Sequence, residues 1–191
     1  MRNNWCTAVI HAGDDNIVCI QKVAHSGGCT IGTRPIDLHI EAFSSLGIEF
    51  DNIFETSELI QYKNDGLIRA SGNIKGGNVI LTYPSVGATE NLMIGASACK
   101  EKTLIINAAC EPEIIDLQNY LQKCGVDISG AGTSVITVNG TEITKLNKFI
   151  VHSIIPDRIE TCTYLTAACL MGENVCVKNC NSDDIQSFYD M

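Results

Sequence analysis

The sequence predicts an α/β protein built on a repeated unit of about 70 residues, and three observations carry that prediction. First, Ala88 to Leu117 lies over Ile159 to Phe188 at a gapless shift of 71 residues, matching Ile94 to Leu165, Leu104 to Val175, Ile106 to Val177 and Ile114 to Ile185. Second, apolar residues recur at helical spacing: Ile36, Ile40, Phe43 and Gly47 form one stripe, and Ile114, Leu117, Leu121 and Cys124 another. Third, β-rich runs alternate with glycine-marked turns, so helices pack together behind sheets.

Taken in order, NIVCIQK (Asn16 to Lys22) reads as a strand, PIDLHIEAFSSLG as a helix, and IEF as the next strand. Gly47 and Gly125 stand just past helix ends, where a left-handed residue is favoured. Gly66 to Gly77 marks a hairpin region before NVILTY, and Ser134 to Val138 alternates before an Asn139-Gly140 turn. Each repeat copy reads helix, strand, short loop, helix. Pro35, Pro112 and Pro156 fall at helix starts, where a missing N–H costs little. The last unit stops at Met191, partway through a helix beginning near Ser182, so the chain is expected to be truncated.

Composition bounds the class. With 191 residues, 45% hydrophobic and 18% charged, the chain can build a proper core, which excludes a disordered tail. Thirteen Lys plus Arg against 22 Asp plus Glu give a charge of −9, which argues against nucleic-acid binding. No apolar run has the length of a membrane span, and MRNNWCTAVIHAGDD lacks the apolar centre of a signal peptide. A cytoplasmic protein without a membrane partner is expected. Ten cysteines without a C-x-x-C pair, and four scattered histidines, favour neither disulfides nor zinc; Cys99, Cys124, Cys162 and Cys169 are expected to be buried thiols.

One loop, Ser26 to His39 (SGGCTIGTRPIDLH), combines a nucleophile, several glycines and a cation. Its glycines let backbone N–H groups approach an anion. Arg34, one residue before Pro35, can grip a phosphate beside a helix N-terminus, and the same field favours the thiolate of Cys29.

At these residues the sequence resembles a known family. GGCTIGTRPIDLH, YPSVGATENLM, NAACEPEIIDL and IPDRIETCTYL, in that order and separation, are similar to the UDP-N-acetylglucosamine enolpyruvyl transferases (1-carboxyvinyltransferases). The resemblance runs from about Val23 to Asn179. It implies repeated βαβαββ units forming an inside-out α/β barrel, with residues 1–150 a catalytic-loop domain of about two of three repeats and 151–191 the truncated start of the next. It also implies transfer of enolpyruvyl from phosphoenolpyruvate to the 3-hydroxyl of UDP-N-acetylglucosamine, the first committed step of peptidoglycan synthesis, with no metal or other cofactor.

Residue by residue, the resemblance makes Cys29 the catalytic loop cysteine, the one that fosfomycin alkylates, and Arg34 a phosphate contact. Pro35, Ile36, Asp37 and Leu38 fall in the block that holds the uridine nucleotide, and Leu38 lies off the Ile36, Ile40, Phe43 stripe, as a ligand-facing residue would. Tyr83, Pro84, Ser85, Val86 and Gly87 match a second nucleotide-contacting turn; from spacing alone, Ser85 reads equally well as a plain helix N-cap. Arg2, Asp157 and Arg158 are further candidates, while Glu111, Glu113, Asp116 and Glu160 read as helix-start carboxylates and His39 as a surface or supporting residue.

The sequence departs from the family at Ser26, where many relatives carry proline, and over Asn52 to Asp65, which is expanded. The family's Lys-Asn pair, its aspartate base and further arginines belong to segments this chain does not match. Little turnover is therefore expected from the chain alone, and a complementary chain or self-association is the expected remedy. Two alternatives stand beside the transferase: a non-catalytic nucleotide-binding remnant, and a shikimate-phosphate relative of the same fold.

Overall fold

A computed structural model of the chain describes residues 21–24, 36–51, 53–56, 59–62, 67–142, 145–147 and 149–189. The chain divides into two compact units, Met1–Ile150 and Val151–Met191.

Among the described residues the first unit holds three sheets. β1 (Gln21–Ala24) and β2 (Ile48–Asp51) flank β5 (Leu67–Gly72), both antiparallel to it, with α1 (Asp37–Ser45) leading into β2. Between β2 and β5, β3 (Ile53–Thr56) and β4 (Leu59–Tyr62) pair antiparallel with each other, and among the described residues with no other strand. The run β6 (Gly77–Ile80), α2 (Val86–Ser97), β7 (Lys102–Ile106), α3 (Pro112–Cys124), β8 (Asp127–Ser129) and β9 (Val135–Asn139) then makes a complete βαβαββ unit. Its sheet order is β6-β7-β9-β8, parallel at β6/β7 and antiparallel elsewhere.

Period-two alternation decides which face of this sheet is covered. Val79, Ile105, Ile128, Ile136 and Val138 are buried with Leu92, Met93 and Ala96 of α2 and Ile114, Leu121 and Cys124 of α3. Their strand neighbours Ile80 and Val135 are exposed. Removing a fully buried isoleucine such as Ile105 or Ile114 would cost about 2–5 kcal/mol, the lost transfer energy plus the cavity left behind.

Local signals for the helix ends are met. Pro112 is the first residue of α3, and Gly125 ends it at φ 97°, while Gly47 follows α1 at φ 90°. The α1 stripe is different from expectation. Leu38, Ala42 and Leu46 join the main core, whereas Ile36 and Phe43 are only half-buried and Ile40 is buried outside that cluster. Leu38, expected off the stripe, is 4% exposed. With apolar residues on two faces of the helix, the pattern leaves two possible seams, and small Ala42 allows the closer approach.

Two expected turns are also corrected. β5 and β6 do not form a hairpin: β5 pairs with β1 and β2, and β6 with β7. Asn139 belongs to β9 and its amide donates to Asp127, so Asn139-Gly140 is not a hairpin turn. Instead Gly140 lets the chain run against the end of α2, since a Cβ there would collide with the Cys99 carbonyl, and Thr141 N–H donates to Ser97 O at 3.1 Å.

The second unit comprises α4 (Arg158–Met171), a 3₁₀ turn (Asp183–Ile185) and α5 (Gln186–Tyr189). The start of α4 resembles that of α2 in its capping, at a spacing one residue longer than the 71-residue sequence alignment. Ser85 and Asp157 are the N-caps of α2 and α4, 72 residues apart, each preceded by proline. The fourth helical residues, Thr89 and Thr161, donate their hydroxyls to the cap carbonyls at 2.8 Å in both copies. Buried Ile114 and Ile185 return to the 71-residue spacing, so one residue is lost in between and the gapless alignment is wrong at the helix start.

The second copy also lacks the expected strand. Among the described residues nothing from 173 to 180 is in a sheet, and Val175 is exposed. β7 gains backbone partners on both sides from β6 and β9, whereas no described strand flanks Val175 to Val177. Of the cysteines expected to be buried, Cys99 and Cys124 are, but Cys162 is half-buried and Cys169 exposed.

Candidate functional site

The site grows from one edge of the four-stranded sheet. Parallel β6 and β7 both end there, feeding α2 through Leu81 to Ser85 and α3 through Asn107 to Glu111. Such carboxyl ends leave helix N-termini, with their unpaired N–H groups, at one place. Asn107, held at φ 60°, donates its side-chain amide to Leu81 O at 2.9 Å and ties the two loops together. Ala109 N–H donates to Thr89 Oγ1 at 3.0 Å, fixing the second loop to α2.

Ser85 caps α2 through its hydroxyl, which accepts Ala88 N–H at 3.3 Å. The N–H groups of Val86 and Gly87, the first two helical residues, have no helical acceptor. Tyr83 and Pro84 are exposed beside them, and Val86 and Gly87 half-buried.

α1 brings its own amino end to the same edge. His39 Nδ1 lies 2.8 Å from the Asn91 side-chain nitrogen. Four residues further along each helix, Gly95 meets Phe43, where an added Cβ would fall 2.7 Å from Phe43 Cε1. Since both pairings advance together, α1 and α2 run parallel, with their amino ends toward the same end of the seam and α2 starting three residues earlier. The His39 ring also faces Gly87, whose added Cβ would sit 3.6 Å from Cε1.

Burial holds His39 below its ordinary pKa, with Asp37 opposing, and burial followed by the Glu113 charge pushes the Glu90 carboxyl up. Asp37 Oδ1 is buried without a hydrogen-bond partner among the described residues. No group of three metal-ligating side chains occurs among the described residues.

Of the residues singled out from sequence, Ile36, Asp37 and Leu38 are thus brought to the same edge as Tyr83, Pro84, Ser85, Val86 and Gly87. Leu38 enters that edge as a core side chain, so the expectation that its side chain faces outward is corrected. Arg2, Cys29, Arg34 and Pro35 lie outside the described residues. Asp157 caps α4 in the second unit, accepting Ile159 and Glu160 N–H at 2.8 and 3.1 Å, and Arg158 begins that helix. A shallow groove there is lined by Arg158, Cys162, Thr166, Asp184 and Phe188. The sequence reads His39 as a surface or supporting residue but singles out neither its partner Asn91 nor Asn107 with its partner Leu81; these partners lie 52 and 26 residues apart in sequence, beyond any local spacing rule.

Fold and site together define an α/β protein of the enolpyruvyl transferase fold, with helix amino ends gathered at one sheet edge. Its architecture resembles the enolpyruvyl transferase NikO from Streptomyces tendae, with a TM-score of 0.58 at 18% identity over 71% of this chain and 32% of that one. The chain belongs to the EPSP synthase (3-phosphoshikimate 1-carboxyvinyltransferase) family, which it matches over residues 7–191. It is 46% identical over 159 residues to a UDP-N-acetylglucosamine 1-carboxyvinyltransferase of Finegoldia magna, covering 83% of this chain and 35% of that protein. It is 44% identical over 165 residues to UDP-N-acetylglucosamine 1-carboxyvinyltransferase 1 of Staphylococcus aureus strain N315, covering 86% and 36%. The chain therefore spans about a third of the length of the curated relatives it matches. No helix among the described residues is long and apolar enough to cross a membrane.

Proposed function

We propose that this chain supplies the cysteine-bearing wall of an enolpyruvyl transferase that moves the enolpyruvyl group of phosphoenolpyruvate onto the 3-hydroxyl of UDP-N-acetylglucosamine, releasing phosphate, in cytoplasmic peptidoglycan synthesis. The observation that carries this reading is the meeting of the Ile36 to Leu38 and Ser85 to Gly87 turns at one edge, joined by the His39–Asn91 contact. In relatives named for this reaction, 42–46% identity spans most of the chain, which supports the choice of acceptor.

In this reading the Val86 and Gly87 N–H groups receive the nucleotide diphosphate, Asp37 and the α1 turn address the uridine, Arg34 holds phosphate, and Cys29 works at phosphoenolpyruvate. Arg2, Asp157 and Arg158 are further candidates for contacting substrate. Residues 1–150 form the catalytic-loop domain of an inside-out barrel, 151–191 begin the next repeat, and a complementary chain or second copy completes the cleft. The reaction needs no metal or other cofactor. The family's 3-phosphoshikimate name favours one second reading, with shikimate 3-phosphate as acceptor.

The test is fosfomycin labelling followed by peptide mapping, with UDP-N-acetylglucosamine or shikimate 3-phosphate present. Nucleotide-dependent modification of Cys29 ahead of exposed Cys110, Cys169, Cys176 and Cys180 is expected. Labelling of those thiols in place of Cys29 would overturn the assignment, and stimulation by shikimate 3-phosphate alone would select the second reading.

A further inference from the structure

The side chain that joins the two candidate nucleotide turns is a histidine whose role follows from hydrogen-bond chemistry. The Asn91 side-chain nitrogen lies 2.8 Å from His39 Nδ1, and in this arrangement the amide N–H donates and Nδ1 accepts. The ring is then neutral and carries its hydrogen on Nε2, the edge that faces Gly87. On α1 the ridge formed by His39 and Phe43 meets the α2 ridge formed by Asn91 and Gly95. Phe43 against Gly95 fixes the spacing of the helices at one point, and His39–Asn91 fixes it again one turn nearer their amino ends. Without the second point the two first turns can splay while the apolar contact persists.

We propose that His39 is a positioning residue, which through Asn91 holds the first turns of α1 and α2 at the separation one nucleotide diphosphate requires. The inference rests on the nucleotide reading above. It explains why a polar pair stands beside the Phe43–Gly95 contact: an apolar pair would fill the seam but leave its separation unspecified. The role is supported by the half-buried setting of His39, where burial favours the neutral ring that can accept.

Calorimetric titration of the 191-residue chain with UDP-N-acetylglucosamine tests the proposal through two substitutions of different chemistry. His39→Phe keeps a ring in the seam and removes the acceptor; His39→Gln keeps an acceptor. About tenfold weaker binding is expected for His39→Phe and for Asn91→Leu, with the double variant no weaker than either single, as one shared hydrogen bond demands. His39→Gln should recover most of the affinity. Wild-type affinity in His39→Phe, or failure of His39→Gln to exceed His39→Phe, would overturn the positioning role while leaving the nucleotide reading standing. A wild-type chain that does not bind the nucleotide removes that reading and this role with it. Should His39→Phe fail to fold, ¹⁵N spectra of the wild-type imidazole decide: a hydrogen on Nε2 is required, and one on Nδ1 overturns the proposal.

Discussion

Ser85 and Asp157 cap equivalent helices 72 residues apart, one with a neutral hydroxyl and the other with a carboxylate. The difference decides what each helix start can receive. Ser85 accepts a single N–H, from Ala88, and leaves the dipole of α2 unopposed. Asp157 accepts two, from Ile159 and Glu160, so α4 already carries its own anion.

Replacing Ser85 with Asp should therefore convert α2 into a copy of α4. As N-caps the two residues are nearly equal, so Ser85→Asp is expected to change stability by less than about 0.5 kcal/mol. Affinity for UDP-N-acetylglucosamine should fall by more than about tenfold, because a fixed carboxylate then faces the diphosphate. Thermal melting and calorimetry on the same preparation read both quantities, and undiminished binding would exclude this turn as the phosphate site.

Gly87 separates packing from ligand approach. An added Cβ would lie 3.6 and 3.8 Å from His39 Cε1 and Nε2, ordinary contact distances. Alanine is also the better helix former, by about 0.5–1 kcal/mol. Gly87→Ala is expected to fold as stably as wild type or more so, and to bind UDP-N-acetylglucosamine less well, since the methyl group crowds the approach to the adjacent N–H. Equal affinity in a melt-confirmed variant would leave the glycine without a ligand role.

The buried hydroxyl of Thr103 supplies a test of the core. Thr103 is fully buried in β7, and its Oγ1 has no hydrogen-bond partner among the described residues. Such a group carries a desolvation penalty of about 1–3 kcal/mol, which an isosteric apolar side chain relieves. Thr103→Val should raise the urea midpoint at unchanged slope. A lowered midpoint would mean that the hydroxyl is satisfied in solution.

What sequence made legible here is what local chemistry dictates. Ser85, Pro112, Gly47 and Gly125 mark helix ends because caps and left-handed residues act within one turn. The Leu38 side chain escaped because a helix packed on two sides has no unique stripe. Val175 to Val177 is apolar like Leu104 to Ile106, with which the sequence aligns it, yet only the latter is a strand, since strand formation depends on what lies alongside. The blocks around Ile36 and Ser85 were readable as site candidates, but the contact that unites them was not: His39 and Asn91 are 52 residues apart and meet only once two parallel helices share a seam.

Acidity should act on stability in two opposed ways, through Glu90 beside Glu113 of α3 and through His39 at the α1–α2 seam. Burial, and then the Glu113 charge, raise the Glu90 pKa from 4.5, so the folded state holds that proton more tightly than the unfolded chain. The stabilisation linked to Glu90 is complete below the unfolded value and is lost as pH rises through the folded one. Glu90→Gln should thus be more stable than wild type at pH 7 and lose that advantage near about pH 4. For His39 the sign reverses. Burial, only partly offset by Asp37, lowers its pKa from 6.5, so stability linked to the neutral ring is present above the unfolded value and declines as pH falls through the window beneath it. Urea titrations between about pH 7.5 and 5 should show a shallower decline for His39→Gln than for wild type. Identical slopes would mean that the ring titrates as freely in the folded chain as in the unfolded one, and that the α1–α2 seam does not hold it neutral.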